Sequence, residues 1–371
     1  MMLCLLMLAM ILKACSADEG HSGDPGLEEM IGQMLMIGFR GMEVEATDQI
    51  ARDLAAGRVG GVILFDRDVA MGFTPRNIES PAQLMALTGQ LRHFASQAGD
   101  IPLFISIDQE GGYVARLKPE YGFPSTVSAQ YLGSLNDPDS TAWHSARMAQ
   151  TLSDHGINLN LAPVVDVNIN PDSPAIGAIE RSFSDDPLLV AQHAAIVVDE
   201  HRARQVLTCL KHFPGHGSAS HDSHLGLTDV SNSWEEQELI PYEMLIGQGR
   251  ADMVMTAHIF NSQWDTEYPA TLSKEVITGM LRQELGFDGV IISDDMNMGA
   301  ITDEYGLEEA IYRSIDAGVD ILIFANNLVY DEMIAETATA IILDLIDEGM
   351  LSVSRIRESY QRIMLLKDQL P

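Results

Sequence analysis

Eight short apolar runs recur along the chain, and they constrain its fold more than any other feature. Each is rich in β-branched or large apolar residues and lacks the apolar–polar alternation of a half-exposed strand. Most precede an amphipathic segment of helical length: residues 80–99, 233–249 and 273–286. In the segment 273–286, Ser273 is the expected N-cap and Gly286 the expected C-cap of a helix. The eight runs lie at residues 34–39, 59–65, 101–108, 157–167, 206–213, 253–260, 289–295 and 320–326.

This alternation predicts an α/β fold, a single (β/α)8 TIM-type barrel over residues 27–371. An open doubly wound sheet is the alternative, but no glycine-rich phosphate turn follows the first run. No low-complexity segment or linker interrupts the region, and a chain of 371 residues is long enough to bury a large core.

The first 15 residues differ in kind from the rest. Residues 2–12 are continuously apolar, which is too short to span a bilayer but typical of the core of a signal peptide. Ala14 before Cys15 resembles a bacterial lipoprotein cleavage box, although Lys13 inside it fits less well. We expect a leader at 1–15, a polar tether at 16–26, a lipid anchor on Cys15 and an exported, membrane-anchored protein. A cytoplasmic protein is the alternative.

The charge balance excludes one class of partner. Fifty-four acidic residues against 22 basic ones give a formal net charge of −32. Nucleic acid is not an expected partner, because phosphate binding needs a basic surface. The acids are spread along the chain, which indicates a highly solvated surface. The three cysteines, Cys4, Cys15 and Cys209, form neither a disulfide framework nor the spacing of a zinc site.

Polar and charged side chains lie at or just past the ends of five of the apolar runs. Because the C-terminal ends of barrel strands surround the functional site, these side chains are expected to share one concave pocket. Packing of the protein core does not readily explain so many polar side chains at the ends of buried strands. They are Asp108, Asp166, Lys211, His212, His258 and Asp294.

Residues 209–227 hold four of the eleven histidines. A metal site is one interpretation of this stretch. However, Pro214 argues against a helical turn that would bring His212 and His216 together, and no HExxH pattern is present. Asp222 and His224, two positions apart, would face the same side of an extended chain. A carboxylate that holds one imidazole nitrogen raises the basicity of the other, so this stretch predicts a proton-transfer pair. The four are His212, His216, His221 and His224, of which His216 and His221 receive no role.

A carboxylate nucleophile is the second requirement of such a site. Asp294 and Asp295 are adjacent, so in an extended strand one is expected to face the pocket while the other supports the loop. A carboxylate nucleophile, a proton donor on a loop and a pocket lined with Asp, Arg, Lys and His are the equipment for glycoside hydrolysis.

Residues 211–224, KHFPGHGSASHDSH, resemble the motif of the β-N-acetylhexosaminidases of glycoside hydrolase family three. That motif is Lys-His-Phe-Pro-Gly-His-Gly, four variable residues, then Asp-Ser-His. DQEGG at 108–112, IERSFSDDP at 179–187 and GVIISDDMNM at 289–298 resemble further blocks of the family in the expected order. The resemblance runs from about residue 27 to 370. Tyr113 stands where the family often has arginine, and the residues that flank Asp295 also depart from the commoner forms.

The resemblance implies a role for each matched residue. Asp294 would be the nucleophile, His224 the acid/base, and Asp222 the partner of His224. His258 would contribute to the pocket wall. The hydroxyls of the terminal sugar would be bound by Asp108, Arg116, Arg181, Lys211 and His212.

The resemblance also implies an activity. We expect a retaining exo-β-N-acetylhexosaminidase that removes terminal N-acetylglucosamine from cell-wall (peptidoglycan) fragments or chitin oligosaccharides. It would need no metal and no organic cofactor, and would act as a monomer. The alternatives are a phosphorylase that transfers the sugar to phosphate, another family-three β-glycosidase, and a non-catalytic glycan-binding lipoprotein.

Overall fold

The computed structural model describes residues 25–221, 226–302 and 304–370. The expected leader with Cys15, most of the tether, and the expected proton-transfer pair Asp222 and His224 lie outside the described residues, so these assignments stay predictions. Within the described ranges, no helix is long and apolar enough to cross a membrane.

Eight parallel strands close into a barrel, which confirms the predicted fold. Around the barrel they follow the order β1-β2-β3-β4-β5-β7-β9-β10, and β10 returns to β1 with Leu35 opposite Leu322. Two further short strands, β6 and β8, pair with each other outside the barrel. The strands are Leu35–Gly38 (β1), Gly61–Leu64 (β2), Phe104–Ile107 (β3), Leu159–Asn160 (β4), Leu207–Phe213 (β5), Thr228–Asp229 (β6), Met253–Thr256 (β7), Ile259–Phe260 (β8), Val290–Asp295 (β9) and Ile321–Phe324 (β10).

Helices follow the strands and cover the outside of the barrel. A π-helix, Glu275–Glu284, lies between β8 and β9. Short 3-10 turns occur at Pro119–Tyr121, Gly177–Ile179, Glu236–Leu239 and Ala270–Leu272. The α-helices are Leu27–Gln33 (α1), Gln49–Ala55 (α2), Pro81–Ala95 (α3), Ala129–Leu135 (α4), Pro138–Asp154 (α5), Pro187–Arg202 (α6), Ile240–Gly247 (α7), Gly299–Thr302 (α8), Leu307–Ala317 (α9), Ile334–Asp347 (α10) and Val353–Lys367 (α11).

All eight apolar runs contain a barrel strand, but their lengths differ from the sequence-based expectation. The run 157–167 yields only the two residues of β4. Pro163, which has no N–H to donate, interrupts the ladder, and pairing with β5 resumes as a bridge between Val164 and Lys211. The helix expected after Ser273 begins at Glu275 and is of the π type. It ends before Gly286, whose φ of +68° lies in the left-handed region that glycine adopts without strain.

Lys367 at the end of α11 closes the N-terminal end of the barrel. Its side chain is 2% exposed, and Nζ donates to Gln33 Oε1 at 2.6 Å and to the Gly60 carbonyl at 2.8 Å. The ammonium also lies 4.6 Å from the centre of the Phe104 ring, at the start of β3. Burial lowers the pKa of Lys367 to about 7.

Replacing this amine is expected to change how stability depends on pH. Between about pH 7 and the ordinary lysine pKa, the unfolded chain binds the Lys367 proton and the folded chain does not, so stability rises with pH. The unfolding free energy of the wild type minus that of Lys367→Met should grow by about 1 kcal/mol per pH unit between about pH 7.5 and 9.5.

Urea unfolding at several pH values measures this difference. Lys274→Met is the matched control, since the Lys274 side chain is 59% exposed, and its difference from wild type should stay flat. A flat difference for Lys367→Met as well would show that the buried amine keeps its ordinary pKa.

Candidate active site

Lys211 joins the ends of β3 and β5 at the C-terminal face of the barrel. It occupies the fifth position of β5, and its side chain is 2% exposed. Nζ lies 2.8 Å from Asp108 Oδ1 and 2.7 Å from Glu110 Oε1. The Asp108 carboxylate also faces Arg116, with Nη2 to Oδ2 at 3.4 Å. One ammonium therefore bridges two carboxylates that follow the same strand.

Arg181 extends this network toward His212. Its guanidinium binds the Glu110 carboxylate in bidentate fashion at 2.8 and 2.7 Å, and Nη1 donates to the Ala175 carbonyl. Nη2 also lies 3.2 Å from His212 Nε2. Because a guanidinium only donates, Nε2 accepts and the hydrogen of the His212 ring sits on Nδ1.

The network keeps its carboxylates ionised. Burial alone would raise the pKa of Asp108, but Lys211 and Arg116 outweigh it and hold the pKa below its usual value. Burial opposes ionisation of Glu110 too, and Arg181 and Lys211 lower its pKa well below the usual range. Lys211 keeps a raised pKa despite burial, because both carboxylates stabilise its charge. Such groups offer fixed, charged hydrogen-bond partners to sugar hydroxyls.

Two buried carboxyl groups fix the turn that follows β5. Asp166, fully buried, accepts from the backbone N–H of His212 at 3.1 Å and of His216 at 2.8 Å, and its Oδ2 lies 2.8 Å from His212 Nδ1. Glu238 accepts from the Gly217 N–H at 2.9 Å, and burial raises the pKa of Glu238 to about 8. A Cβ on Gly217 would overlap the Val167 carbonyl oxygen, so only glycine fits there. The Lys211–His212 and Phe213–Pro214 peptides are cis.

The two aspartates at the end of β9 differ in their surroundings. Asp295 Oδ1 accepts from the Ala325 N–H at 2.9 Å and the Asn297 N–H at 3.0 Å, which ties β9 to the end of β10. Asp294 is half-buried, and its Oδ1 accepts from the Asp295 N–H at 2.8 Å. Asp295 thus supports the strand end from which Asp294 projects.

His258 lies behind this strand end. It is fully buried, with Nδ1 2.8 Å from Thr271 Oγ1 and Nε2 3.0 Å from the Asp295 carbonyl oxygen. These contacts make His258 a support for the backbone of β9 rather than part of the cleft surface.

A cleft of about 360 Å³ opens at the C-terminal face of the barrel. Its floor consists of apolar side chains at the ends of the strands, and its walls carry acids and cations together. Asp108 and Arg116 line one wall, and Asp294 and Asp295 another. The remaining charged lining residues, Asp66, Arg67 and Lys118, come from the loops after β2 and β3.

The structure therefore gathers most of the residues that the sequence singled out. Asp108, Arg116 and Asp294 line one cleft, while Lys211, Arg181 and His212 join it through the ion-pair network. Glu110 was missed as a site residue, although its position two residues after Asp108 in the chain was a usable signal. In the parts of the chain that the structure describes, no group of three or more His, Cys, Asp or Glu side chains is placed to hold a metal ion.

A cleft lined by carboxylates and guanidinium groups at the C-terminal face of a (β/α)8 barrel is an arrangement that carbohydrate-active enzymes use. Comparison with known families is consistent with that class. Residues 26–366 match the glycosyl hydrolase family 3 N-terminal domain, and the chain belongs to this family.

Several relatives have similar sequences. Beta-hexosaminidase A of Pseudoalteromonas piscicida is 34% identical over 383 residues, which cover 92% of this chain and 61% of that protein. The Beta-hexosaminidase of Tolumonas auensis is 35% identical over 296 residues, covering 79% of this chain and 83% of that protein. The chain thus spans about three fifths of the first relative and most of the second.

Solved structures give the same comparison in three dimensions. A glycoside hydrolase family 3 β-N-acetylglucosaminidase from Paenibacillus sp. is 34% identical with a TM-score of 0.84, covering 93% of this chain and 63% of that chain. A β-N-acetylhexosaminidase from Beutenbergia cavernae is 28% identical with a TM-score of 0.81, covering 93% of this chain and 99% of that chain.

Proposed function

We propose that this chain is a retaining exo-β-N-acetylglucosaminidase that acts on cell-wall fragments or chitin oligosaccharides. The observation that carries the proposal is the shared cleft of Asp294 and Asp108, at the ends of β9 and β3. The proposal takes Asp294 as the nucleophile, in the same cleft as a charged network suited to sugar hydroxyls. The relatives named above as hexosaminidases and N-acetylglucosaminidases support the choice of sugar.

Substrate binding is assigned to the ion-pair network. The ionised carboxylates of Asp108 and Glu110 accept hydrogen bonds from hydroxyls, and the cations Lys211 and Arg181 donate them. Asp108 lines a wall of the cleft next to its apolar floor, and the buried Lys211 contacts it there, so a sugar would have to be terminal to reach these groups. An exo mode of action follows from that placement.

The chemistry is assigned to two steps. In the first, Asp294 attacks the anomeric carbon, the glycosidic bond breaks, and the leaving oxygen takes a proton from His224, held by Asp222. In the second, His224 takes a proton from water, which attacks the anomeric carbon and releases Asp294. The roles of Asp222 and His224 rest on the sequence motif, since both lie outside the described residues.

Turnover of aryl glycosides tests the proposal. The wild type should release the aryl group from an N-acetyl-β-glucosaminide at least about a hundredfold faster, in kcat/KM, than from the matching β-glucoside, because the site must accept the acetamido group. With phosphate present, the sugar product should remain free N-acetylglucosamine. Formation of the sugar 1-phosphate would show a phosphorylase, and binding of glycans without turnover of any aryl sugar would show a binding protein.

A further inference from the structure

Arg67 stands apart from the other cations of the chain. Among the lysines and arginines within 25–221, 226–302 and 304–370, it is the one for which the structure shows no hydrogen bond, ion pair or ring contact. In a protein with a net charge of −32, acidic partners are abundant. An arginine left without one at the wall of the cleft needs a separate explanation.

The two acids beside Arg67 in the sequence are bound by other cations. Asp66 is held by Lys118, with Nζ to Oδ2 at 2.6 Å. Asp68 is fully buried and is held by Arg40 at 2.6 Å and faced by Arg76 at 3.6 Å. The charge of Arg67 is therefore not neutralised by its neighbours.

The loop that carries Arg67 is fixed in place. Asp68 Oδ1 accepts from the Met71 N–H at 2.8 Å, which closes the loop on itself. The Val69 N–H donates to Asn327 Oδ1 at 3.0 Å, and the buried Arg76 donates to the same oxygen at 2.7 Å. These bonds join the loop after β2 to the loop after β10, so the backbone at Arg67 is preorganised before any ligand binds.

Arg67 also lies farther out than the groups assigned to the terminal sugar. Lys211 is 2% exposed and Asp294 is half-buried. Arg67 lines the same cleft as Asp294 but is exposed. A terminal sugar held by Asp108 would have its leaving group near the rim at which Arg67 lies.

We propose that Arg67 is a specificity-determining residue that binds a carboxylate on the leaving-group sugar. This inference rests on the proposed hydrolysis of a terminal N-acetylglucosamine. A guanidinium matches a carboxylate with two parallel hydrogen bonds. Elsewhere the acidic surface repels an anion, so an acidic leaving group needs a cation where it docks. Arg67 thus favours cell-wall fragments, whose second sugar carries a lactyl group, over neutral chitin oligosaccharides.

Three disaccharides that share the terminal N-acetylglucosamine test the contact. They are N-acetylglucosaminyl-N-acetylmuramic acid, the methylamide of its lactyl group, and diacetylchitobiose. Arg67→Met should lower kcat/KM for the acid by about tenfold, mainly through KM, and change it less than about twofold for the two neutral sugars. An equal loss on all three, or no loss on the acid, would overturn the proposal.

Two further arms sharpen the result. The first is a fragment whose carboxylates lie only on an attached peptide. If Arg67→Met lowers kcat/KM for that fragment alone, the contact belongs to the peptide, which contradicts the assignment to the lactyl group. Arg250→Met removes the same charge near the N-terminal end of β7, and it should leave all substrates unchanged. Added salt should reduce the preference of the wild type for the acid, because an exposed ion pair is screened.

Calorimetric binding of the same sugars separates this inference from the proposed function. If the wild type hydrolyses none of them but Arg67→Met still weakens binding of the acid alone, the hydrolase assignment fails and the Arg67 contact stands. If hydrolysis proceeds without any effect of Arg67, the contact fails and the function stands.

Discussion

Asp294→Asn is expected to lower kcat for an aryl N-acetyl-β-glucosaminide by a factor on the order of 10³ to 10⁵. An amide cannot form the glycosyl-enzyme, so the reaction loses its first step. The change is nearly isosteric, and the amide oxygen still accepts from the Asp295 N–H, which holds the Asp294 side chain at 2.8 Å in the wild type. Steady-state kinetics with purified protein gives the comparison.

Asp295→Asn is the matched control for that change. The amide oxygen of the substituted side chain can keep the bonds from the Ala325 and Asn297 N–H groups, so the end of β9 should hold its place. We expect a loss of about tenfold or less. Near-normal turnover by Asp294→Asn, or a larger loss in Asp295→Asn, would show that the nucleophile has been assigned to the wrong aspartate.

Lys211→Met should have the second-largest effect, with kcat/KM falling by about 10² to 10³ and the unfolding free energy by about 3 kcal/mol. The variant leaves two carboxylates, Asp108 and Glu110, without the ammonium that lies within 2.8 Å of each. Since Lys211 helps to hold the pKa of both groups below normal, its loss should raise these pKa values. The acid limb of the kcat/KM profile should therefore move to higher pH.

Lys118→Met serves as the comparison within the same cleft. Lys118 binds one carboxylate, Asp66, whereas Lys211 binds two. Because the Lys118 side chain is itself 35% exposed, its removal should cost less stability than that of Lys211, although Asp66 is buried, and it should leave the acid limb in place. Kinetics across pH together with urea unfolding distinguish the two variants. If Lys211→Met lowers stability but leaves the pH profile unchanged, the network supports the fold and not the binding of substrate.

The barrel was predictable from the sequence because each of its strands is encoded by a short stretch of consecutive residues. Strands buried on both faces need continuous apolar runs, and all eight runs contain one. The end of β4 shows the limit of that signal: the apolar run continues to residue 167, but the strand ends at Asn160, and beyond Pro163 the pairing with β5 is reduced to a bridge between Val164 and Lys211. The π-helix at Glu275–Glu284 has the same apolar periodicity as an ordinary helix, so its type was not readable.

The position of a site residue was predictable from the sequence where it lies at the end of a barrel strand. The ion-pair partner of a loop residue was not. Asp108 and Lys211 meet because β3 and β5 both end at the same face of the barrel. Arg67 lies between two aspartates, Asp66 and Asp68, in the sequence. Both aspartates bind cations from distant parts of the chain, Arg40 and Lys118, and that outcome depends on the three-dimensional arrangement of the three loops after β1, β2 and β3.

Trapping the covalent intermediate tests the central claim most directly. Wild-type enzyme quenched with acid during turnover of a substrate with a good leaving group should carry the added mass of one N-acetylglucosaminyl residue. Peptide mapping should place that mass on Asp294, and the adduct should be absent from Asp294→Asn. An adduct on another residue, or turnover with inversion at the anomeric carbon and no adduct, would contradict the assignment of Asp294 as the nucleophile of a retaining glycosidase.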